Sequence, residues 1–194
     1  MFSDLPFSAP VFLAPMSGVS DAPFRKWVRH YGAGMVYSEM IASRAMILQT
    51  QNALRMARHD EGGAPKVVQL AGCEPEVMAE AARMNEARGA SLIDINFGCP
   101  VRKVTSHGGG SAIPVKPRLV ARLVRAMVRS AGAVPVTIKM RKGIDEDLLT
   151  YVEAGKVAQE EVKENQPLLR QPDFRIGKNG IEALYEEKLR GVAG

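Results

Sequence analysis

The sequence predicts an α/β protein of parallel β/α units wound as a TIM-type barrel, and three observations carry that prediction. Short apolar runs alternate with longer helix-like stretches through the first four-fifths of the 194 residues, the pattern of βαβ units whose sheet needs cover on both faces. No G-x-G-x-x-G follows the first run, so the dinucleotide-binding form of the open, doubly wound sheet lacks its marker. Each predicted strand ends in groups that hydrogen-bond or react, and in a β/α barrel those ends converge on one mouth. Periodicity alone leaves sheet and barrel open; the convergence of polar ends favours the barrel.

Val11 to Ala14 is the first strand, followed by Pro15-Met16-Ser17-Gly18. Asp21 as N-cap and Pro23 in the first turn open a helix that reaches His30. Gly32 and Gly34 break it, and a second strand starts at Met35 to Tyr37, with Ser38, Glu39 and Met40 at its end. Lys66 to Leu70 is the third, where Val67 and Val68 favour extended backbone and Gln69 stands at the close. Pro75 to Arg88 is rich in Ala, Glu, Met and Arg, and Gly89 stops that helix. Leu92 to Ile95 is the fourth strand, closed by Asp94, Asn96 and Cys99. In the helix from Pro117 to Ser130, Leu119, Leu123 and Met127 recur every four residues. Val134 to Ile138 is the fifth strand, with Lys139 and Arg141 at its end, and a fifth helix lies near Leu148 to Glu161.

Five units over residues 1–161 make an incomplete barrel, since a whole one takes about 250 residues. From Val162 onward no apolar strand appears. Pro167 and Pro172 suit an irregular link, and Ile181, Leu184, Tyr185 and Leu189 form one face of a short helix that Gly191 ends. Residues 162–194 are therefore expected to be a divergent tail.

Composition excludes several classes. Lys and Arg number 26 against 21 Asp and Glu, a formal +5 that permits a polyanionic partner without demanding one. No apolar run approaches the roughly 18 residues of a membrane span, and Met1-Phe2-Ser3-Asp4 lacks the basic start of a secretory signal. Cys73 and Cys99 are too few and too ill-spaced for a disulfide framework or a zinc site. The expectation is a cytoplasmic protein with no metal and no membrane partner.

Asp94-Ile95-Asn96-Phe97-Gly98-Cys99-Pro100 is the most informative run. Gly98 and Pro100 bracket the cysteine and hold it on a loop. A buried cysteine in a tight turn is the plain alternative. As a functional group, Cys99 could be a nucleophile, which needs a thiolate and a promoting partner, or a general acid, which needs only the neutral thiol. The general acid asks for less. His107-Gly108-Gly109-Gly110 imitates a hydrolase oxyanion segment, but no G-x-S-x-G exists in the chain; a flexible loop is the better reading, and its glycines could still let backbone approach a bulky substrate. Arg118, Arg122, Arg125 and Arg129 form a helical stripe that could meet phosphates, although a solvated outer face explains it more simply.

Four segments together resemble the tRNA-dihydrouridine synthase family. They are Ala14-Pro15-Met16-Ser17-Gly18-Val19-Ser20-Asp21, Val68-Gln69-Leu70-Ala71-Gly72, the run from Asp94 to Val104, and Lys139-Met140-Arg141-Lys142-Gly143. The likeness covers about residues 8 to 160, and the N-F-G-C-P-V-R-K-V element is its most specific part. It implies an FMN-binding β/α barrel that reduces the C5–C6 bond of uridines in tRNA, with NADPH recharging the flavin. By position, Cys99 would give the proton to C5. Gln69 would bond the flavin's pyrimidine edge, Lys139 would stand beside its N1/O2 end, and Pro15 and Met16 would line the ring. Asn96 and Arg141 would contact the flipped uracil, and Lys103 the RNA. It further implies that strands after the fifth grip the FMN phosphate. The competing functions are a non-catalytic RNA-binding fragment and an FMN barrel that reduces a free pyrimidine; flavin colour tests the first and substrate preference the second.

Overall fold

The computed structural model describes residue 9 and residues 11–58 and 65–165. The chain runs β1 (Phe12–Leu13), α1 (Ala22–His30), β2 (Met35–Ala42), α2 (Ser43–Ile47), α3 (Gln51–Met56), β3 (Lys66–Ala71), α4 (Pro75–Ala87), β4 (Leu92–Phe97), α5 (Arg102–Thr105), α6 (Pro117–Ser130), β5 (Val136–Met140) and α7 (Tyr151–Asn165). All neighbouring strands are parallel, in the order β1-β2-β3-β4-β5. A doubly wound sheet reverses its order at a switch point. Here each strand lies beside the next in sequence, and same-handed crossovers stack the helices on one face. That winding is a β/α half-barrel. Among the described residues no helix is long and apolar enough to cross a membrane.

The local reasons agree with the sequence. Asp21 caps α1, its side chain accepting from Phe24 N at 2.9 Å, and Gly89 takes φ +82° just after α4, a conformation that costs glycine little. The period-2 alternation of the strands sorts their two faces. Ile41, Val68, Leu70, Ile93, Ile95 and Phe97 point outward into a core with Met78 and Ala82 of α4, Leu123 and Met127 of α6 and Ala154 of α7. Side chains of this kind contribute about 1.5–3 kcal/mol each when fully buried. On the concave face Met35, Val67 and Leu92 make a small apolar floor, with Tyr37 packed on it. Above that floor the face is polar.

Several boundaries differ from expectation. β2 continues through Ser38, Glu39 and Met40 to Ala42, because its register with β3 shifts between Tyr37 and Met40. The bulge sets two residues opposite one, and the Ser38 hydroxyl accepts from Gln69 N at 3.0 Å while donating to Glu39 O at 2.8 Å. β5 begins at Val136 and contains Lys139, since Val134 is still in the turn, its N–H donating to Ala131 O at 2.9 Å. α7 starts at Tyr151, because Leu149 pairs with Gly143 in a short antiparallel bridge, and it continues past residue 161 to Asn165. The tail helix expected around Ile181 to Leu189 lies outside the described residues.

The arginine stripe of α6 is exposed on the outer face, and three of its members reach neighbouring helices. Arg125 holds Glu161 of α7 with two hydrogen bonds of 2.7 and 2.8 Å, Arg129 donates to Asn165 Oδ1 at 2.7 Å, and Arg122 lies 3.8 Å from Glu76 of α4. Such contacts on the outer layer serve helix packing.

Candidate functional site at the strand ends

At the carboxyl ends of the strands an open pocket of about 210 Å³ is lined by Pro15, Ser17, Met40, Gln69, Asn96, Gly98, Cys99, Pro100 and Lys139. Register explains why these residues meet. Met40 lies beside Gln69, Gln69 beside Asp94, Asp94 beside Thr137 and Asn96 beside Lys139. Alternation places Asp94 and Asn96, and likewise Thr137 and Lys139, on the concave face in two successive layers. The bulge in β2 restores the phase that lets Met40 join them.

One hydrogen-bond chain threads the two layers. Thr137 Oγ1 donates to Asp94 Oδ1 at 2.6 Å, and Gln69 Nε2 donates to Asp94 Oδ2 at 2.7 Å. Asn96 Nδ2 donates to Gln69 Oε1 at 2.9 Å. The Asn96 carbonyl then accepts from the backbone N–H groups of Gly98 at 3.2 Å and Cys99 at 2.9 Å. Gln69 and Asp94 are each 1 % exposed, so these partners satisfy groups that water does not reach. Burial pushes the Asp94 carboxyl up to about 6, against the opposing pull of its bonds to Thr137 and Gln69 and of the Lys139 charge. Burial first, and the Asp94 charge second, raise the neighbouring Tyr37 hydroxyl.

The cysteine loop is held from two sides. Asn96 fixes its entry, and Ser111 N donates to Cys99 O at 3.0 Å on the far side. Gly110, at φ +56°, makes that second approach possible, because a Cβ there would lie 2.4 Å from Cys99 O. The glycines after His107 thus bring backbone against the cysteine loop. The His107 ring has other partners, its Nδ1 lying 3.0 Å from Lys103 O and 3.2 Å from Ser106 Oγ, and its carbonyl accepts from Cys73 Sγ at 3.1 Å. Opposite, the β1–α1 loop is tied by Gly18 N donating to Glu39 Oε1 at 2.7 Å and by Ser20 Oγ, which bonds both N and O of Met16.

Of the residues singled out from sequence, Pro15, Gln69, Asn96, Cys99 and Lys139 line the pocket. Met16, Lys103 and Arg141 do not. Met16 is 39 % exposed on the adjoining loop, Lys103 is exposed on α5, and Arg141 is exposed just beyond β5, its Cγ 3.6 Å from where a Cβ on Gly98 would stand. The sequence reading missed Ser17 and Met40 in the lining and Thr137 as partner to Asp94. Thr137 stands two residues before Lys139 on the same face, but nothing local marks it as the partner of Asp94; Met40 was read at the end of the second strand, while the bulge that turns it inward leaves no mark in the hydrophobic pattern. The Lys139 ammonium carries no hydrogen bond or ion pair among the described residues. A thiol, an anchored amide and a cation around one opening suit a flat heterocycle with a polar edge.

Comparison with known proteins meets this geometry. The family model described as dihydrouridine synthase (Dus) matches residues 12–162. A probable tRNA-dihydrouridine synthase of Rickettsia conorii is 46% identical over 159 residues, which is 80% of this chain and 47% of that protein. A tRNA-dihydrouridine synthase B of Pasteurella multocida is 44% identical over 151 residues, covering 77% of this chain and 45% of the relative. A protein of the same name from Pseudomonas aeruginosa is 43% identical over 157 residues, covering 80% and 47%. The chain spans about half the length of the curated relatives it matches.

Proposed function

Because this chain belongs to the dihydrouridine synthase family, we propose that it reduces uridine to 5,6-dihydrouridine in tRNA in the cytoplasm, as an FMN-dependent oxidoreductase recharged by NADPH. The observation that carries the proposal is the meeting of Cys99, Asn96, Gln69 and Lys139 at one pocket. The donor set fits a flavin ring. Gln69 keeps one N–H and one lone pair after bonding Asp94 and Asn96, which suits an edge that alternates acceptor and donor. Lys139 brings a positive charge, and Pro15 and Met40 bring apolar surface. When bound and reduced, FMN supplies the hydride that no protein side chain can.

The chain's own residues do the rest. Gln69 and Lys139 would hold and orient the cofactor's pyrimidine end, and the Lys139 charge would balance negative charge there. Pro15 in the lining, with Met16 on the adjoining loop, would cover the ring from the side of the β1–α1 loop. Cys99 holds a proton on Sγ and gives it to C5 of the uracil as hydride arrives at C6; the thiolate then recovers a proton from solvent at the open pocket. Asn96 positions the thiol by holding the N–H groups of Gly98 and Cys99, and its second amide N–H remains for a uracil carbonyl. The base must leave the RNA stack to enter. Arg141 and Lys103, both exposed, would meet the extruded nucleotide and its phosphates.

The test incubates the chain with FMN, NADPH and an unmodified tRNA transcript and measures dihydrouridine by nucleoside mass spectrometry. Dihydrouridine in the tRNA supports the proposal. Turnover of free uracil or dihydroorotate with none of tRNA contradicts it.

A further inference from the structure

Asp94 takes no part in the proton or hydride transfer proposed above, yet it lies 1 % exposed at the centre of the concave face. Tyr37 of β2, Gln69 of β3, and Thr137 and Lys139 of β5 face it. An ionised carboxylate only accepts hydrogen bonds, whereas the amides of glutamine and asparagine each have a donor end and an acceptor end. That difference fixes a direction. With Asp94 accepting from Gln69 Nε2, the Gln69 carbonyl must face Asn96; the Asn96 amide nitrogen must then face Gln69, and its carbonyl is left for the N–H groups of Gly98 and Cys99. Turning Gln69 over would set acceptor against acceptor at Asp94 and donor against donor at Asn96, and turning Asn96 over as well would carry the clash of donors to the cysteine loop. We infer that Asp94 is a positioning residue that sets the polarity of this chain, and so fixes both the amide of Gln69 and the backbone of the Cys99 loop. Its consequence for catalysis rests on the proposed function, because one end of the chain is the amide assigned to the flavin and the other the thiol assigned to the uracil.

The inference also gives the chain a pH-dependent anchor. Burial holds the Asp94 carboxyl near 6, while the Lys139 charge and the bonds from Thr137 and Gln69 work against that rise. Mild acid therefore removes the charge on which Gln69 is anchored, and Thr137 can turn its hydroxyl to accept the new proton.

The test uses the whole chain without flavin or tRNA. Side-chain amide resonances of Gln69 in the ¹⁵N-labelled protein are followed from pH 5 to pH 8, and the alkylation rate of Cys99 by iodoacetamide is read by peptide mass spectrometry. In the wild type the Gln69 amide should titrate with a midpoint of about 6. In Asp94→Asn, which still accepts from Gln69 but carries no charge, that titration should vanish. In Asp94→Leu the acceptor is gone, and Cys99 alkylation should change by about fivefold, the factor that one ordinary hydrogen bond makes in a local equilibrium. A wild-type Gln69 resonance that stays flat across the range overturns the inference, as does a titration that survives in Asp94→Asn, or a folded Asp94→Leu protein with unchanged Cys99 alkylation. If Asp94→Leu does not fold, the wild-type and Asp94→Asn titrations decide. None of these readings needs uridine chemistry, so failure of the proposed function and failure of this inference are separate results.

Discussion

Replacing Asn96 with alanine removes three hydrogen bonds at once. Its amide nitrogen donates to Gln69 Oε1 at 2.9 Å, and its carbonyl receives Gly98 N at 3.2 Å and Cys99 N at 2.9 Å. Gln69 is buried, so its carbonyl loses a partner that water does not readily replace, at a cost of about 1–3 kcal/mol. Gly98 and Cys99 are only half-buried, and water can reach their N–H groups, so each bond there is worth the ordinary net of about 0.5–1.5 kcal/mol. Allowing for non-additivity among neighbours, Asn96→Ala should lower the unfolding free energy by about 2–4 kcal/mol, measured by urea denaturation. It should also free the cysteine loop, so that Cys99 is alkylated faster while Cys73 keeps its rate. A loss below about 0.5 kcal/mol, the range of an ordinary surface change, together with an unaltered Cys99 rate would refute the claim that Asn96 holds the loop.

Two further outcomes follow from the same geometry. The folded state raises the Asp94 carboxyl from 3.8 to about 6, so between those values the folded protein binds the extra proton; stability is fully favoured below pH 3.8 and falls as pH rises through 6. Relative to Asp94→Asn, the wild type should therefore lose up to about 3 kcal/mol of stability between pH 4 and pH 7, and a flat difference in paired urea titrations would contradict the burial argument. None of the pocket residues is proposed to meet the flavin's phosphate, which the family resemblance assigns to strands after the fifth. FMN and riboflavin should then bind this chain within about threefold of each other in fluorescence titrations, whereas a preference of tenfold or more, about 1.4 kcal/mol, would place a phosphate contact within it.

Much of this was legible in the sequence for specific reasons. The helix from Pro117 to Ser130 appeared at its predicted limits, because Pro117 marks a first turn and Leu123 and Met127 mark a buried stripe. The winding followed from polar groups at successive strand ends. Gln69, Asn96, Cys99 and Lys139 were readable as one site because period-2 alternation and a shared mouth bring them together. What was not readable depends on contacts between distant segments. The bulge that turns Met40 inward arises from pairing with β3 and is stabilised by Ser38 against Gln69. The arginine stripe of α6 is the solvated outer face it was read as, but its bonds to Glu161 and Asn165 of α7 could not be read from its own segment. Asp94 read as one more polar strand end, since nothing local shows that Thr137, forty-three residues later, would cap its carboxylate. The glycines at 108–110 read as a flexible loop, and only the fold shows Gly110 pressed against Cys99 O.

Proton delivery by the thiol at position 99 is the claim on which the functional account stands, and deuterium tests it most directly. In D₂O, with FMN, NADPH and tRNA present, the wild-type chain should form dihydrouridine carrying solvent deuterium at C5. Cys99→Ala should form it at least about a hundredfold more slowly, the usual worth of a positioned general acid. Product formed by Cys99→Ala at the wild-type rate, or no dihydrouridine from wild-type protein saturated with flavin, would contradict the account.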